Sequence, residues 1–234
     1  MPDNNLLKCL RDEDFALIES KIEPADISTG SVLYNPGDHV AWAYFPCGPT
    51  LVSYLVTNID GQDVETVLVG REGAVGGIVS SGHLPAYCLI SAKVGGPCVC
   101  IPIEAIRSAK SSSPTFKRLF TRYADCLMAQ MFQATACNAL HSIEQRTAKW
   151  ILAARDRTGR DDIALTQQEL ATLLGVGRSY VSRVLQKLKH DGLIEIARGN
   201  HRVIKVNALR GRSCRCNDSV KSHFDVVLKG VYPD

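Results

Sequence analysis

Apolar residues follow two rhythms along this chain, and the rhythm changes near residue 113. From residue 29 to 107 short runs of β-forming residues alternate with turn signals. The runs are Val32–Tyr34, Val40–Phe45, Leu51–Val56, Val64–Val69, Cys88–Val94 and Cys98–Ile101. The turns are Asn35-Pro36-Gly37-Asp38, Pro46-Cys47-Gly48-Pro49, Asp60-Gly61, Gly70-Arg71-Glu72-Gly73 and Gly95-Gly96-Pro97. Many short strands with turns at this spacing predict a sandwich or jelly roll. An acidic helix over about Glu13 to Lys21 precedes them.

After the break at Ser111-Ser112-Ser113-Pro114 the period becomes helical. Phe116, Phe120, Tyr123, Leu127, Gln130 and Ala134 recur in steps of four and three. That heptad-like seam predicts a long helix that pairs with a copy of itself.

Residues 165–188, LTQQELATLLGVGRSYVSRVLQKL, predict two short helices joined by a tight turn. Thr166 and Glu169 have capping-box spacing, and Leu165 and Leu170 sit where a hydrophobic staple closes. Ala171 is small where a second helix crosses, and Gly175 suits the left-handed residue that ends the first helix. The second helix is expected to start at Arg178 or Ser179. Val181, Val184, Leu185 and Leu188 form its buried stripe. Ser179, Ser182, Arg183 and Gln186 form the opposite face, with no carboxylate among them. This is the pattern of a helix-turn-helix, whose second helix enters the DNA major groove. Arg183 can pair in bidentate fashion with a guanine edge, and Arg178 can grip a base or a phosphate. Thr166 and Gln167, at the start of the first helix, join the predicted DNA contacts.

Asp191-Gly192 ends the second helix. Leu193–Ile196 and Val203–Val206 then predict two strands, with Arg198-Gly199-Asn200-His201-Arg202 as a hairpin tip. The tip is basic and polar, and Arg198, Asn200, His201 and Arg202 are expected on the sugar-phosphate backbone. Beyond the hairpin, Val220, Phe224, Val227 and Leu228 predict a short amphipathic helix against the DNA-binding domain or a partner. The expected architecture is α+β. A β-roll spans 1–112, a dimerisation helix 113–139, a winged helix-turn-helix 140–210 and a C-terminal extension 211–234.

Charge separates along this order. Residues 141–210 hold 13 Lys/Arg against 7 Asp/Glu, whereas residues 1–140 hold 10 against 14. A basic segment within a nearly neutral chain is the footprint of a phosphate-binding module. No apolar run reaches membrane-spanning length, and the N-terminus lacks a signal pattern, so a cytoplasmic protein without a membrane partner is expected.

The nine cysteines are an odd number with no Cys-x-x-Cys spacing. Neither a disulfide framework nor a metal site is expected from them. Cys214 and Cys216 lie close together in a basic segment where thiolates could form, which leaves open redox or metal sensing through these thiols, or a small molecule in the roll, as the switch of a regulator. The six histidines are scattered, without the His-x-His of a metal-dependent cupin, so no enzyme and no catalytic residue are expected.

The order of parts resembles the CRP/FNR superfamily of bacterial transcription regulators. The resemblance spans residues 28 to 207. It rests on Gly30-x-x-Leu33-Tyr34-x-x-Gly37-Asp38, on Phe45-Pro46-x-Gly48, on Asp60-Gly61 with Val69-Gly70-Arg71-Glu72-Gly73-x-x-Gly76, and on Gln168-Glu169-Leu170-Ala171 with Arg178-Ser179-Tyr180-Val181-Ser182-Arg183. It implies a cyclic-nucleotide-binding-like roll and a homodimer on a palindromic duplex site. RNA polymerase is a candidate further partner. Arg183 falls where the family reads a guanine. Cyclic-nucleotide binders carry Gly-Glu and later Arg-Ser, whereas here Gly76-Gly77 stands first and no arginine occurs between Arg71 and Arg107. Cyclic AMP is therefore not expected, and no cofactor is assigned. The N-terminal cysteine cluster of the iron-sulfur members is reduced to Cys9. Haem stays open through His39, His83 or a cysteine.

Overall fold

The computed structural model describes residues 1–61, 63–78 and 84–232. Its elements are α1 (Asp12–Glu19), β1 (Glu23–Ile27), β2 (Val32–Tyr34), β3 (Trp42–Pro46), β4 (Leu51–Thr57), β5 (Asp63–Val69), β6 (Leu89–Val94) and β7 (Gly96–Pro102). There follow α2 (Ile103–Ser112), α3 (Pro114–Leu140), α4 (Ile143–Thr158), β8 (Asp162–Ile163), α5 (Gln167–Leu174) and α6 (Arg178–His190). The chain ends with β9 (Ile194–Ala197), β10 (Asn200–Val203), α7 (Val206–Arg212) and α8 (Cys216–Lys229).

The strands of the first half form two antiparallel sheets, ordered β1-β7-β3 and β2-β6-β4-β5. Their facing sides supply Phe45, Val52, Val69, Ile90 and Ile101 to one core. The six strands read from alternation all occur, with ends shifted by one or two residues. β1 was not legible, because Glu23-Pro24-Ala25-Asp26-Ile27 is mostly exposed and has no alternation. It is an edge strand, where a proline is tolerated.

α3 begins where the Ser113-Pro114 break places it. The Ser113 hydroxyl accepts from the Phe116 amide at 3.1 Å and caps the helix. The face expected to meet a second copy is instead covered by the same chain. Phe116, Phe120 and Tyr123 are buried in the roll core, and Gln130 donates to the Leu68 carbonyl at 3.1 Å. Leu127 and Ala134 are half-buried. The correction has a physical reason: a four-three spacing marks a stripe that must be covered, and the roll's own sheets cover it. The Tyr123 hydroxyl shows how closely they meet. It accepts from the Ala74 amide and donates to the Ala74 carbonyl, both at 2.9 Å. Gly73 makes this possible, since a Cβ there would stand 2.1 Å from the hydroxyl oxygen.

The extension folds back mainly onto α3 and also touches α4 of the winged unit, where Arg157 donates to Asn217 Oδ1 at 3.4 Å. Phe224 of α8 meets Tyr123 edge-on, with ring centroids 6.3 Å apart. Arg122 and Arg118 donate to the carbonyls of Val227 and Val231 at 2.7 and 3.1 Å.

Candidate nucleic-acid interface

Residues 143–209 build a second core from α4, α5, α6 and the small sheet β8-β10-β9. α5 starts as its sequence dictates. The Thr166 hydroxyl accepts from the Glu169 amide at 3.1 Å, and Glu169 Oε2 accepts from the Thr166 amide at 2.6 Å. Glu169 is thereby turned toward its own helix end. Gly175 ends α5 at φ 64°, the left-handed region, with no atom within 4 Å of where a Cβ would lie. Arg146 of α4, itself buried, donates to the Leu174 carbonyl at 2.8 Å. This satisfies an end-of-helix acceptor and fixes the turn against α4.

α6 buries Val181, Val184, Leu185 and Leu188. The opposite face is open: Arg178, Ser179, Arg183 and Gln186 are exposed and Ser182 is half-buried. The Arg183 guanidinium stands 5.2 Å over the Tyr180 ring. Tyr180 is 41% exposed beside it and was not among the expected contacts. Its signal was available, since an aromatic at that point of an otherwise polar face has no core to fill. No side chain caps the N-terminus of α6, so its first amides remain open to an anion.

Thr166 is exposed and Gln167 half-buried at the start of α5, on the side toward the wing: a Cβ added at Gly199 would stand 3.9 Å from the Thr166 methyl group. The wing differs from expectation. Its turn is only Arg198-Gly199, and β10 begins at Asn200. Arg198 and Arg202 are exposed, whereas Asn200 is half-buried and His201 is 1% exposed. His201 therefore cannot reach a duplex. In a strand that starts at Asn200, alternation sends His201 and Val203 inward and Arg202 outward. Burial also holds the His201 imidazole below its ordinary value, so the ring is neutral.

The helix-turn-helix unit is not detached from the roll. Leu51 and Leu68 enter its core, and Arg157 of α4 pairs with Glu72.

Residues 145–212 match the family model described as the Crp-like helix-turn-helix domain. The chain carries a Crp-like helix-turn-helix domain. Solved structures extend the likeness to the rest of the fold. FixK2 of Bradyrhizobium japonicum superposes with a TM-score of 0.70 at 14% identity, over 82% of this chain and 98% of that one. The c-di-GMP responsive global regulator CLP of Xanthomonas campestris gives 0.66 at 16%, over 82% and 99%. A transcriptional regulator of the CRP family from Thermus thermophilus gives 0.65 at 18%, over 81% and 96%. No curated protein sequence matches significantly. At these identities the structural neighbours establish the CRP/FNR fold, with an antiparallel roll, a long helix and a C-terminal helix-turn-helix. Among the described residues, no helix is long and apolar enough to cross a membrane.

Proposed function

We propose that this chain is a transcription regulator that binds a two-fold symmetric duplex site as a homodimer, without enzymatic activity. The observation that carries the reading is the outer face of α6. Arg178, Ser179, Ser182, Arg183 and Gln186 stand on a well-packed helix and are not used by the protein's own fold. Thr166 and Gln167 on one side and Arg198 and Arg202 on the other suit the flanking phosphates.

The homodimer uses a different face of α3 from the one the heptad spacing suggested. Met128, Met131, Phe132 and Leu140 are large, apolar and exposed on that helix, with Phe132 70% exposed. Met128, Phe132, Thr135 and Ala139 again step by four and three, which suits a second copy of the helix. Two-fold pairing there gives two α6 helices to one duplex.

The roll is not read as a cyclic-nucleotide receptor. A side chain at Gly76 would stand 2.3 Å from the Trp42 carbonyl oxygen, and one at Gly77 would meet Val40 and Leu84 at 3.4 and 3.5 Å. A phosphate buried here has no arginine between Arg71 and Arg107 to pair with. Of the candidate haem ligands, His83 lies outside the described residues. His39 forms an isolated bridge with Pro85.

Selection from random duplexes tests the reading. Enrichment of a palindrome with half-sites about one helical turn apart supports it, and enrichment of no sequence refutes it.

A further inference from the structure

Four side chains from distant parts of the chain converge at the junction between α3 and α4. They are Cys137, His141, Cys214 and Cys216, and their ligand atoms all lie within 4.8 Å of one another. Cys137 is in the last turn of α3, and His141 is the residue that ends it. Cys214 lies in the link between α7 and α8, and Cys216 is the first residue of α8. The three sulfurs are buried and the imidazole is half-buried.

Two of the pairs stand at the spacing of a coordination sphere. Cys137 Sγ and Cys214 Sγ are 3.6 Å apart, and Cys216 Sγ and His141 Nδ1 are 3.5 Å apart. Around zinc, with Zn–S about 2.3 Å and Zn–N about 2.0–2.1 Å, a regular tetrahedron has edges of about 3.8 Å for S···S and about 3.5 Å for S···N. A disulfide would need the sulfurs at about 2.05 Å. Three buried sulfurs and one half-buried imidazole form a donor set for a soft or borderline divalent ion in a structural site.

The surroundings point the same way. Lys149 is buried, yet it meets no carboxylate among the described residues. Its ammonium lies 3.6 Å from Cys137 Sγ and 4.2 Å from the Trp150 ring centroid. A buried ammonium beside three neutral thiols lacks a counter-charge and is costly. Three thiolates, one imidazole and one divalent ion carry a net negative charge that Lys149 offsets. Gln133 Nε2 donates to Cys216 Sγ at 3.2 Å, a second contact of the kind that orients a thiolate ligand.

We propose that Cys137, His141, Cys214 and Cys216 bind one zinc ion per chain. The ion joins the end of α3, just before α4 begins, to the C-terminal extension. Ser142, next to the ligand His141, caps α4, so the site sits at the hinge through which the roll and its long helix carry the helix-turn-helix. Binding releases the thiol protons and fixes the two segments to each other.

The test uses the full chain purified under reducing conditions without chelator. Elemental analysis is expected to give about one zinc per chain. After chelator stripping, Co2+ titration should produce the ligand-field bands of a tetrahedral site with a thiolate charge-transfer band. Cys214→Ser and Cys137→Ser should lose most of the bound zinc, while Cys9→Ser should keep it. Should the two variants fold poorly, the Co2+ spectrum of the unaltered protein decides alone. Absence of zinc together with no tetrahedral Co2+ spectrum overturns the proposal. So does a Co2+ spectrum that a folded Cys214→Ser variant leaves unchanged, or a Cys137–Cys214 disulfide in the reduced preparation. None of these outcomes depends on DNA binding.

Discussion

Arg157 Nε donates to Glu72 Oε1 at 2.8 Å, and this ion pair ties the turn after β5 to the helix α4 that supports the helix-turn-helix. The pair is mostly shielded from solvent. Glu72 also accepts from the Gly70 amide at 3.1 Å, so it holds its own turn as well as the neighbouring unit. Glu72→Gln keeps the shape and removes the charge. The expected loss is about 1–3 kcal/mol, read as a lower urea midpoint with an unchanged slope. A variant as stable as the parent contradicts the role given to this pair.

The Tyr123 hydroxyl satisfies both backbone groups of Ala74 inside the core. Tyr123→Phe deletes one oxygen and leaves a buried N–H and a buried C=O without their partner. The cost should be about 1–3 kcal/mol in denaturant unfolding. A neutral effect would mean that water or a shifted backbone replaces the hydroxyl.

His201 gives the wing a pH dependence. Burial lowers its proton affinity in the folded protein below the ordinary 6.5. The unfolded chain therefore binds a proton near pH 6.5 that the folded chain refuses. Above that pH the group contributes no penalty, and as pH falls through it unfolding is progressively favoured. His201→Leu should flatten this part of the stability profile between about pH 7 and pH 5. Parallel profiles for parent and variant would show that the ring charges without cost.

Much of this was legible in the sequence where the determining interactions are local. The start and end of α5 follow from Thr166, Glu169 and Gly175, all within one short segment. The stripe Val181–Leu188 fixed which side of α6 faces out. Most of what failed depended on partners far along the chain. The spacing of Phe116, Phe120 and Tyr123 reported a covered stripe but not whether a sheet or a second copy covers it. The inward turn of His201 depended on where the wing's turn ends. Gly199, at φ 73° in the two-residue Arg198-Gly199 turn, marks where that turn ends. Cys137 and His141 sit one helical turn apart, but their meeting with Cys214 and Cys216 needs α8 to return along α3, which no local pattern encodes.

The exposed stripe on α3 separates folding from pairing. Phe132 is open to solvent, so Phe132→Glu should change chain stability by no more than about 0.5 kcal/mol. The same change should convert the dimer to a monomer in sedimentation and weaken binding to a two-fold site. A dimer that survives Phe132→Glu would place the pairing surface elsewhere.

The central claim is that α6 presents Arg183 to a base edge. Its most direct test is a titration of Arg183→Ala against the selected duplex and against a scrambled one, at fixed salt. The account predicts that the cognate site loses about 1–3 kcal/mol per half-site, while the weak, salt-dependent affinity for scrambled DNA changes little. Equal affinity of parent and variant for the cognate duplex would contradict it.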